Sequence, residues 1–217
     1  LAGTEEKKRM ITALASGSGR RILFMRTKHT AKKLAKQLTA QGIPAVDLHG
    51  NLSQPARDRN LAAFGDGSVR VLVATDVAAR GVHVDDIELV IHVDPPMEHK
   101  AYLHRSGRTA RAGAAGDVVT LVLPEQRRDT AALLRQAKIT VQPQQVTASS
   151  PAVTRLIGEV APLVAEHELP AVLRPQPQGG GASQGANAQR KRAARSGGDA
   201  AAGRGARGRR GGARGEA

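Results

Sequence analysis

Residues 69–81 have the sequence Val-Arg-Val-Leu-Val-Ala-Thr-Asp-Val-Ala-Ala-Arg-Gly, and this stretch decides the fold class. Its first six residues are almost all β-branched or apolar, a pattern typical of a strand that is buried on both faces. Polar side chains follow at once, at Thr75 and Asp76. A strand buried on both faces needs cover on each side, so helices are expected before and after it.

Apolar runs and helical patterns alternate on both sides of this strand. Further strands are predicted at residues 21–25, 45–48, 88–93 and 118–123. Helices are predicted from Thr4 and at residues 30–40, 53–64, 97–106, 125–137 and 152–160. Thr4 and Ser53 are the expected N-caps, and Gly42 is placed to end the second helix. The alternation predicts an α/β fold with a parallel sheet, helices on both faces, and ligands beyond the carboxyl ends of the strands.

Charge is the strongest signal in the composition. The 217 residues carry 33 Lys and Arg against 19 Asp and Glu, a net charge of +14 that favours a polyanionic partner such as nucleic acid. The chain has no cysteine, which excludes disulfides and fits a reducing compartment, so we expect a cytoplasmic protein. No apolar run approaches the roughly 20 residues of a membrane helix, so no membrane partner is expected. No histidine and acid spacing indicates a metal site.

The composition divides the chain into three parts. We predict a folded domain at residues 1–140, an extension with one short helix at 141–173, and a disordered tail at 174–217. From Pro175 to Ala217 the apolar residues are alanine and proline, and nine Lys and Arg stand against two acids, so the tail cannot bury enough apolar surface to fold. Because the chain begins with Leu1 rather than Met, we expect a fragment or a processed product.

Residues 104–111, His-Arg-Ser-Gly-Arg-Thr-Ala-Arg, place three arginines and a histidine at the end of a predicted helix. Arg108 and Arg111 would project together at that turn. Guanidinium groups are always charged and offer forked donors, so such a pair suits a phosphoryl group. The alternative is a solvated basic surface with the arginines paired to local acids.

Four segments together resemble the DEAD-box RNA helicases. Residues 74–81 resemble the fifth motif of that family, and residues 104–111 resemble the sixth, H-R-x-G-R-x-x-R. Residues 49–57 resemble its H-G-x-x-x-Q-x-x-R segment, and residues 22–27 resemble the fourth motif. The segments occur in the family's order and cover about residues 20–137. The resemblance implies a RecA-like C-terminal helicase domain that acts with an N-terminal RecA-like domain of the same protein on ATP, Mg²⁺ and RNA.

The resemblance also implies roles at the nucleotide. Arg108 and Arg111 would be arginine fingers that reach the ATP γ-phosphate, and His104 would contact the acidic motif of the other domain. Gly81 and His83 would lie near the nucleotide. The family has Asp at the position of His83, where it usually hydrogen-bonds the ATP ribose. A neutral imidazole also accepts one hydrogen bond, whereas a protonated one can only donate.

Other residues are implied at the RNA and at the domain interface. The residues expected along the RNA backbone are Thr27, Arg57, Thr75 and Gly81. The residues expected to brace the interface and couple the two domains are Gln54, Asp76, Arg80 and Arg105. The tail resembles Arg/Gly segments that bind RNA, which adds Arg207, Arg209 and Arg210. Recognition of the backbone implies little sequence specificity.

The chain contains no G-x-x-x-x-G-K-[ST] phosphate loop and no D-E-A-D or S-A-T segment. We therefore predict an ATP-dependent RNA helicase in the intact protein, with Mg²⁺ held mainly by the other domain and no ATPase activity in this chain alone. Two alternatives remain open. One is a non-enzymatic RNA-binding or RNA chaperone module, and the other is a helicase that acts on DNA or on structured ribonucleoprotein.

Removing the residues after Leu173 should weaken RNA binding at low salt, because the tail attracts phosphates by charge and counterion release. Fluorescence anisotropy with labelled RNA at about 50 and about 200 mM salt measures this, with the larger loss at the lower concentration. The control is a chain of full length in which Arg207, Arg209 and Arg210 are changed to Gln, because it loses charge from the tail without losing residues. An RNA affinity that is unchanged after the deletion would show that the tail takes no part in RNA binding.

Overall fold

The computed structural model describes residues 1–79, 84, 86–109 and 115–174. Within them, five parallel strands form one sheet with the order β2-β3-β1-β4-β5. The strands are β1 (Arg20–Phe24), β2 (Ala45–Leu48), β3 (Val71–Ala74), β4 (Ile87–His92) and β5 (Asp117–Thr120). The predicted parallel sheet is confirmed, and β3 lies between two other strands as its unbroken apolar sequence indicated.

The same residues form seven α-helices and two short 3₁₀ helices. They are α1 (Thr4–Ala15), α2 (Lys28–Ala40), α3 (Gln54–Gly65), α4 (Asp76–Ala79), α5 (His99–Ser106), α6 (Arg127–Gln136) and α7 (Pro151–Ile157), with 3₁₀ turns at Pro124–Gln126 and Glu166–Glu168. Among these residues no helix is long and apolar enough to cross a lipid bilayer.

Helices cover both faces of the sheet, as predicted. Alternate residues of a strand point to opposite faces. Leu23 of β1 belongs to a core that includes Met10 and Leu14 of α1 and Leu38 of α2. Its neighbour Ile22 belongs to a second core, with α3 and α4. Two separate apolar cores, one on each side of β1, therefore hold the sheet.

The ends of two predicted helices differ from expectation in different ways. Thr4 lies inside α1, and Gly3 takes the N-cap position without a side-chain hydrogen bond. Ser53 is the N-cap of α3 as predicted, but its side chain makes no capping bond. Gly42 ends α2 with φ +80°. The Gly42 N–H donates a hydrogen bond to Thr39 O, and the Ile43 N–H donates one to Leu38 O. That pattern is a Schellman motif, which glycine favours because it adopts positive φ without strain.

Arg21 joins the sheet to the segment that follows the last strand. Its side chain is fully buried, at 1% exposed, and donates to Leu14 O at 2.8 Å, Leu156 O at 3.2 Å and Ile157 O at 2.6 Å. These carbonyls lie in the last turns of α1 and α7, where the helix dipole is negative and favours a cation. Burial lowers the pKa of Arg21, and Glu88 opposes that shift. The guanidinium thus satisfies two helix ends with one charge.

The loop before β1 accommodates this arginine closely. A Cβ at Gly17 would collide with the Arg21 guanidinium and with Ile157 O, so only glycine fits there. Backbone bonds continue the contact, from Ser18 N to Glu159 O at 2.7 Å and from Ala161 N to Ser16 O at 2.9 Å. The extension at residues 141–173 therefore packs within the same compact unit, Leu1–Arg174.

Replacing Arg21 with Met should lower the free energy of unfolding by about 2–4 kcal/mol, because buried carbonyl oxygens lose their charged donor. Urea denaturation measures the loss. Hydrogen exchange should also rise more in residues 151–161 than in α2, because these residues are held through the guanidinium. Arg128→Met, at an exposed position of α6, is the control. Equal stability of the two variants would contradict this role.

Candidate functional site

Polar side chains collect at the carboxyl edge of the sheet. Thr27 follows β1, Thr75 follows β3, and Arg57 lies in the first turn of α3, which follows β2. The strand order β2-β3-β1 makes these three strands neighbours, so the three residues expected along RNA stand at adjacent positions of one edge. Thr27 is exposed, and its hydroxyl accepts from Thr30 N at 3.2 Å as the N-cap of α2. The parallel sheet has therefore brought together residues 48 positions apart in sequence.

Arg105 is the most heavily bonded side chain at this edge. It is 3% exposed, and its Nε and Nη2 donate to the two carboxylate oxygens of Asp76 at 2.5 and 2.8 Å. Its Nη1 donates to Asp94 O at 2.7 Å, and its Cζ lies 5.1 Å from the centre of the Phe24 ring. A forked, charge-assisted pair of this kind is stronger and more directional than a neutral bond. It anchors α5 to the ends of β3 and β4.

This anchor leaves two other residues of the same helix region at the surface. His104 is exposed and Arg108 is half-buried, and both line an open cavity of about 350 Å³. Arg108 Nε donates to His104 O at 3.3 Å. Asp76 and Arg105 line the same cavity. The structure thus brings together His104, Arg105, Arg108 and Asp76, which the sequence predicted in separate roles.

The cavity can hold an anion but does not suit a divalent metal. Ligand sites usually start near 300 Å³, so about 350 Å³ is enough for part of a nucleotide. Arg108 and Lys100 supply positive charge around it, and Glu98 adds one carboxylate to the lining. Both carboxylate oxygens of Asp76 accept hydrogen bonds from Arg105, so this carboxylate is not free to coordinate Mg²⁺. Among the described residues no three His, Asp or Glu side chains group as a metal site.

Asp94 is a site residue that the sequence reasoning missed. Its Oδ1 accepts from Lys7 Nζ at 3.1 Å and its Oδ2 accepts from Arg26 N at 3.0 Å. The backbone carbonyl of Asp94 accepts the third hydrogen bond of Arg105, from Nη1. Asp94 therefore ties α1, the loop after β1 and α5 together. A signal was present, because Asp94 follows a buried strand almost directly, as Asp76 does.

The predicted residues of α3 lie apart from the cavity described above. Gln54 is exposed, and its amide donates to Asp58 Oδ1 at 2.7 Å within the helix. Arg57 is half-buried. Close by, His49 is buried, with Nε2 2.8 Å from Asp47 Oδ2 and Nδ1 accepting from Asn51 N. The structure places α3 at the same edge of the sheet as Thr75, and Gln54 remains a surface residue there.

Seven of the predicted site residues lie outside the described part of the chain. They are Arg80, Gly81, His83, Arg111, Arg207, Arg209 and Arg210.

His92 lies in the packed core behind the site. It is fully buried, its Nδ1 lies 3.1 Å from Thr120 Oγ1, and its ring packs edge-on against Tyr102 at 4.8 Å. Tyr102 is itself buried, so its ring packs in the core and does not stack on a base. Burial, and then the nearby Arg105, lowers the pKa of His92 to about 3. The ring is therefore neutral wherever the fold is stable.

Comparison with known proteins defines the class of this fold. A family model described as the helicase conserved C-terminal domain matches residues 6–113. The ATP-dependent RNA helicase DBP2 of Lodderomyces elongisporus is 37% identical over 140 residues, which are 63% of this chain and 25% of that protein. The structure of S. cerevisiae Dbp5 bound to RNA and ADP BeF3 has a TM-score of 0.61 at 26% identity, over 70% of this chain and 42% of that one.

A third similar structure is matched by this chain over nearly its whole length. The E. coli DEAD-box protein SrmB bound to regulator of ribonuclease activity A has a TM-score of 0.56 at 31% identity, over 81% of this chain and 94% of that one. The fold is therefore the RecA-like fold of helicase C-terminal domains. The chain belongs to the DEAD-box RNA helicases, as a C-terminal helicase domain. It spans about a quarter of the length of DBP2.

His92 should make the fold sensitive to acid. The pKa of His92 is about 3 in the folded chain, whereas its usual value is 6.5. Below pH 6.5 the His92 ring therefore binds a proton in the unfolded chain but stays neutral in the folded chain. Stability should fall with falling pH, by about 2 kcal/mol between pH 6.5 and 5 from this group. Urea denaturation at both pH values should show a smaller loss for His92→Gln. The exposed His29→Gln is the control, and equal slopes in all three proteins would contradict the assignment.

Proposed function

We propose that this chain is the second motor domain of an ATP-dependent RNA helicase, which closes with another RecA-like domain on ATP and single-stranded RNA. One observation carries the proposal. The bidentate bond between Arg105 and Asp76 fixes α5 so that His104 and Arg108 line one open cavity at the carboxyl edge of the sheet. Both side chains lie at a surface that a second domain can reach.

On the nucleotide side, Arg108 and Arg111 act as arginine fingers on the γ-phosphate of ATP held by the other domain. A guanidinium stays charged in every state and stabilises the charge that develops on the transferring phosphoryl group. His104 precedes Arg108 by four residues, and its carbonyl accepts from Arg108 Nε. His104 contacts the other domain, and Gly81 and His83 contact the nucleotide. The chain's own contribution is therefore positive charge placed at the interface, while ATP and its Mg²⁺ are held by the other domain.

On the RNA side, Thr27, Thr75 and Arg57 contact the sugar-phosphate backbone. Hydroxyl and guanidinium groups are typical backbone ligands, and they carry no information about base sequence. Thr27 follows β1, Thr75 follows β3 and Arg57 lies on the helix after β2, and these adjacent places support a single track along the sheet edge. The RNA named in the Dbp5 structure supports the same class of partner. Gln54, Arg80 and the Arg105–Asp76 pair then couple this track to the nucleotide side.

A second candidate function is RNA binding without catalysis. The absence of a phosphate loop from these 217 residues and the net charge of +14 favour it. It predicts that RNA affinity is the same with and without ATP, and that it is the same after Arg108 is replaced. The helicase function predicts tighter RNA binding with ATP once the other RecA-like domain is present.

The chain alone should release no phosphate from ATP, with or without RNA, because it lacks the loop that cradles the phosphates. Adding an N-terminal RecA-like domain from a DEAD-box relative such as DBP2 should restore RNA-stimulated turnover. Arg108→Ala should then lower that turnover by a factor on the order of 10³. Arg128→Ala on α6 is the control and should leave it unchanged. Turnover by the chain alone, or turnover insensitive to Arg108→Ala, would contradict the proposal.

A further inference from the structure

The helix that follows Thr27 has a surface that the proposed site does not use. No acidic residue occurs between Glu6 and Asp47, and α2 lies in the middle of this interval. The helix and the residues just before it carry five Lys and Arg. They are Arg26, Lys28, Lys32, Lys33 and Lys36, and all five are exposed.

Three of these lysines form a line along the helix. Ala31, Ala35 and Leu38 are buried and face the sheet. Lys28, Lys32 and Lys36 are spaced four residues apart, so they lie one above the other on the same side of the helix. At 1.5 Å of rise per residue, the line from the first to the last is about 12 Å long. We call these three residues the lysine stripe, and Lys33 lies beside it.

The lysine stripe has no ion-pair partner among the described residues. The cations of α1 differ, because Lys7 pairs with Asp94 and Lys8 pairs with Glu5. Like charges four residues apart repel each other, and a cation in the first turn of a helix also opposes the helix dipole. The stripe therefore works against the stability of its own helix, and a bound anion would reverse both effects.

The stripe begins at the proposed RNA track. Thr27, the N-cap of α2, stands one residue before Lys28. In a parallel sheet the connecting helix runs antiparallel to the strands, so α2 leads away from the carboxyl edge along one face of the sheet. An RNA strand that passes Thr27 and follows this face meets the three lysines in order.

We propose that the lysine stripe is a second contact for the phosphate backbone of RNA, outside the track at the sheet edge. The inference rests on the proposed RNA-binding function. RNA fits better than an acidic protein because the exposed large apolar residues of the described chain lie elsewhere, and none belongs to α2. Protein interfaces are depleted in lysine and use apolar anchors, whereas lysine is a standard phosphate ligand.

The test compares two triple variants of the full chain. The stripe variant carries Lys28→Gln, Lys32→Gln and Lys36→Gln. The control variant carries Arg127→Gln, Arg128→Gln and Arg135→Gln, which remove the same charge from exposed positions of α6. Glutamine keeps the helix propensity of lysine, so the stripe variant should melt at the same or a higher temperature because its repulsion is gone.

RNA affinity is measured by anisotropy with labelled single strands of about 6 and about 18 nucleotides, which lie near the lower end of and above the roughly 4–16 nucleotides of a single-strand site. For the long RNA, the stripe variant should bind about tenfold more weakly than the control at low salt, with the slope of log K against log salt reduced by about 2. For the short RNA, which occupies only the track at Thr27, the two variants should bind alike.

Three outcomes would overturn the inference. Equal affinities of both variants for the long RNA would show that the lysine stripe does not contact RNA. The proposed function would stand in that case, provided that the unmodified chain binds RNA. Failure of the unmodified chain to bind either RNA would overturn the proposed function and the stripe together. A polyglutamate peptide that binds the unmodified chain as tightly as the long RNA, and loses affinity in the stripe variant, would make the stripe a protein-docking surface.

Discussion

The buried guanidinium of Arg105 is the interaction on which the rest of the site depends. A charge removed from water is tolerated only when its donors are satisfied, and here all three nitrogens bond to Asp76 and to the carbonyl of Asp94. These partners lie just after β3 and β4, while the arginine belongs to α5. One side chain therefore sets the distance between two strand ends and the helix that presents His104 and Arg108.

A second buried arginine does similar work at the opposite end of the sheet. Arg21 stands at the start of β1 and donates to carbonyls near the ends of α1 and α7, whereas Arg105 lies beyond the far end of the same strand. Arg21 serves one face of the sheet and Arg105 serves the other. The central strand is thus held between two guanidiniums, and both connect segments that are distant in sequence.

Positive charge is used in two ways in this molecule. The buried arginines donate to backbone carbonyls and, for Arg105, to the Asp76 carboxylate, so their charge stabilises the fold. The lysines of α2 are exposed and have no ion-pair partner in the described part of the chain, so their field extends into solvent. A chain with a net charge of +14 therefore combines rigid internal anchors with surfaces that attract polyanions.

The sequence alone determined the features that depend on local order. The strand at residues 45–48, the strand predicted at 69–74 and the helix predicted at 30–40 followed from periodicity, and its end at Gly42 followed from backbone preferences. The motif residues at 104–108 followed from resemblance. Tertiary structure decided the pairing of Arg105 with Asp76, the roles of Asp94 and Arg21, and the four-residue helix α4, which is too short to show a period. The physical reason is that periodicity and capping act within a few residues. The partner of a buried charge is instead chosen by which strands become neighbours, and that order is set by packing over the whole chain.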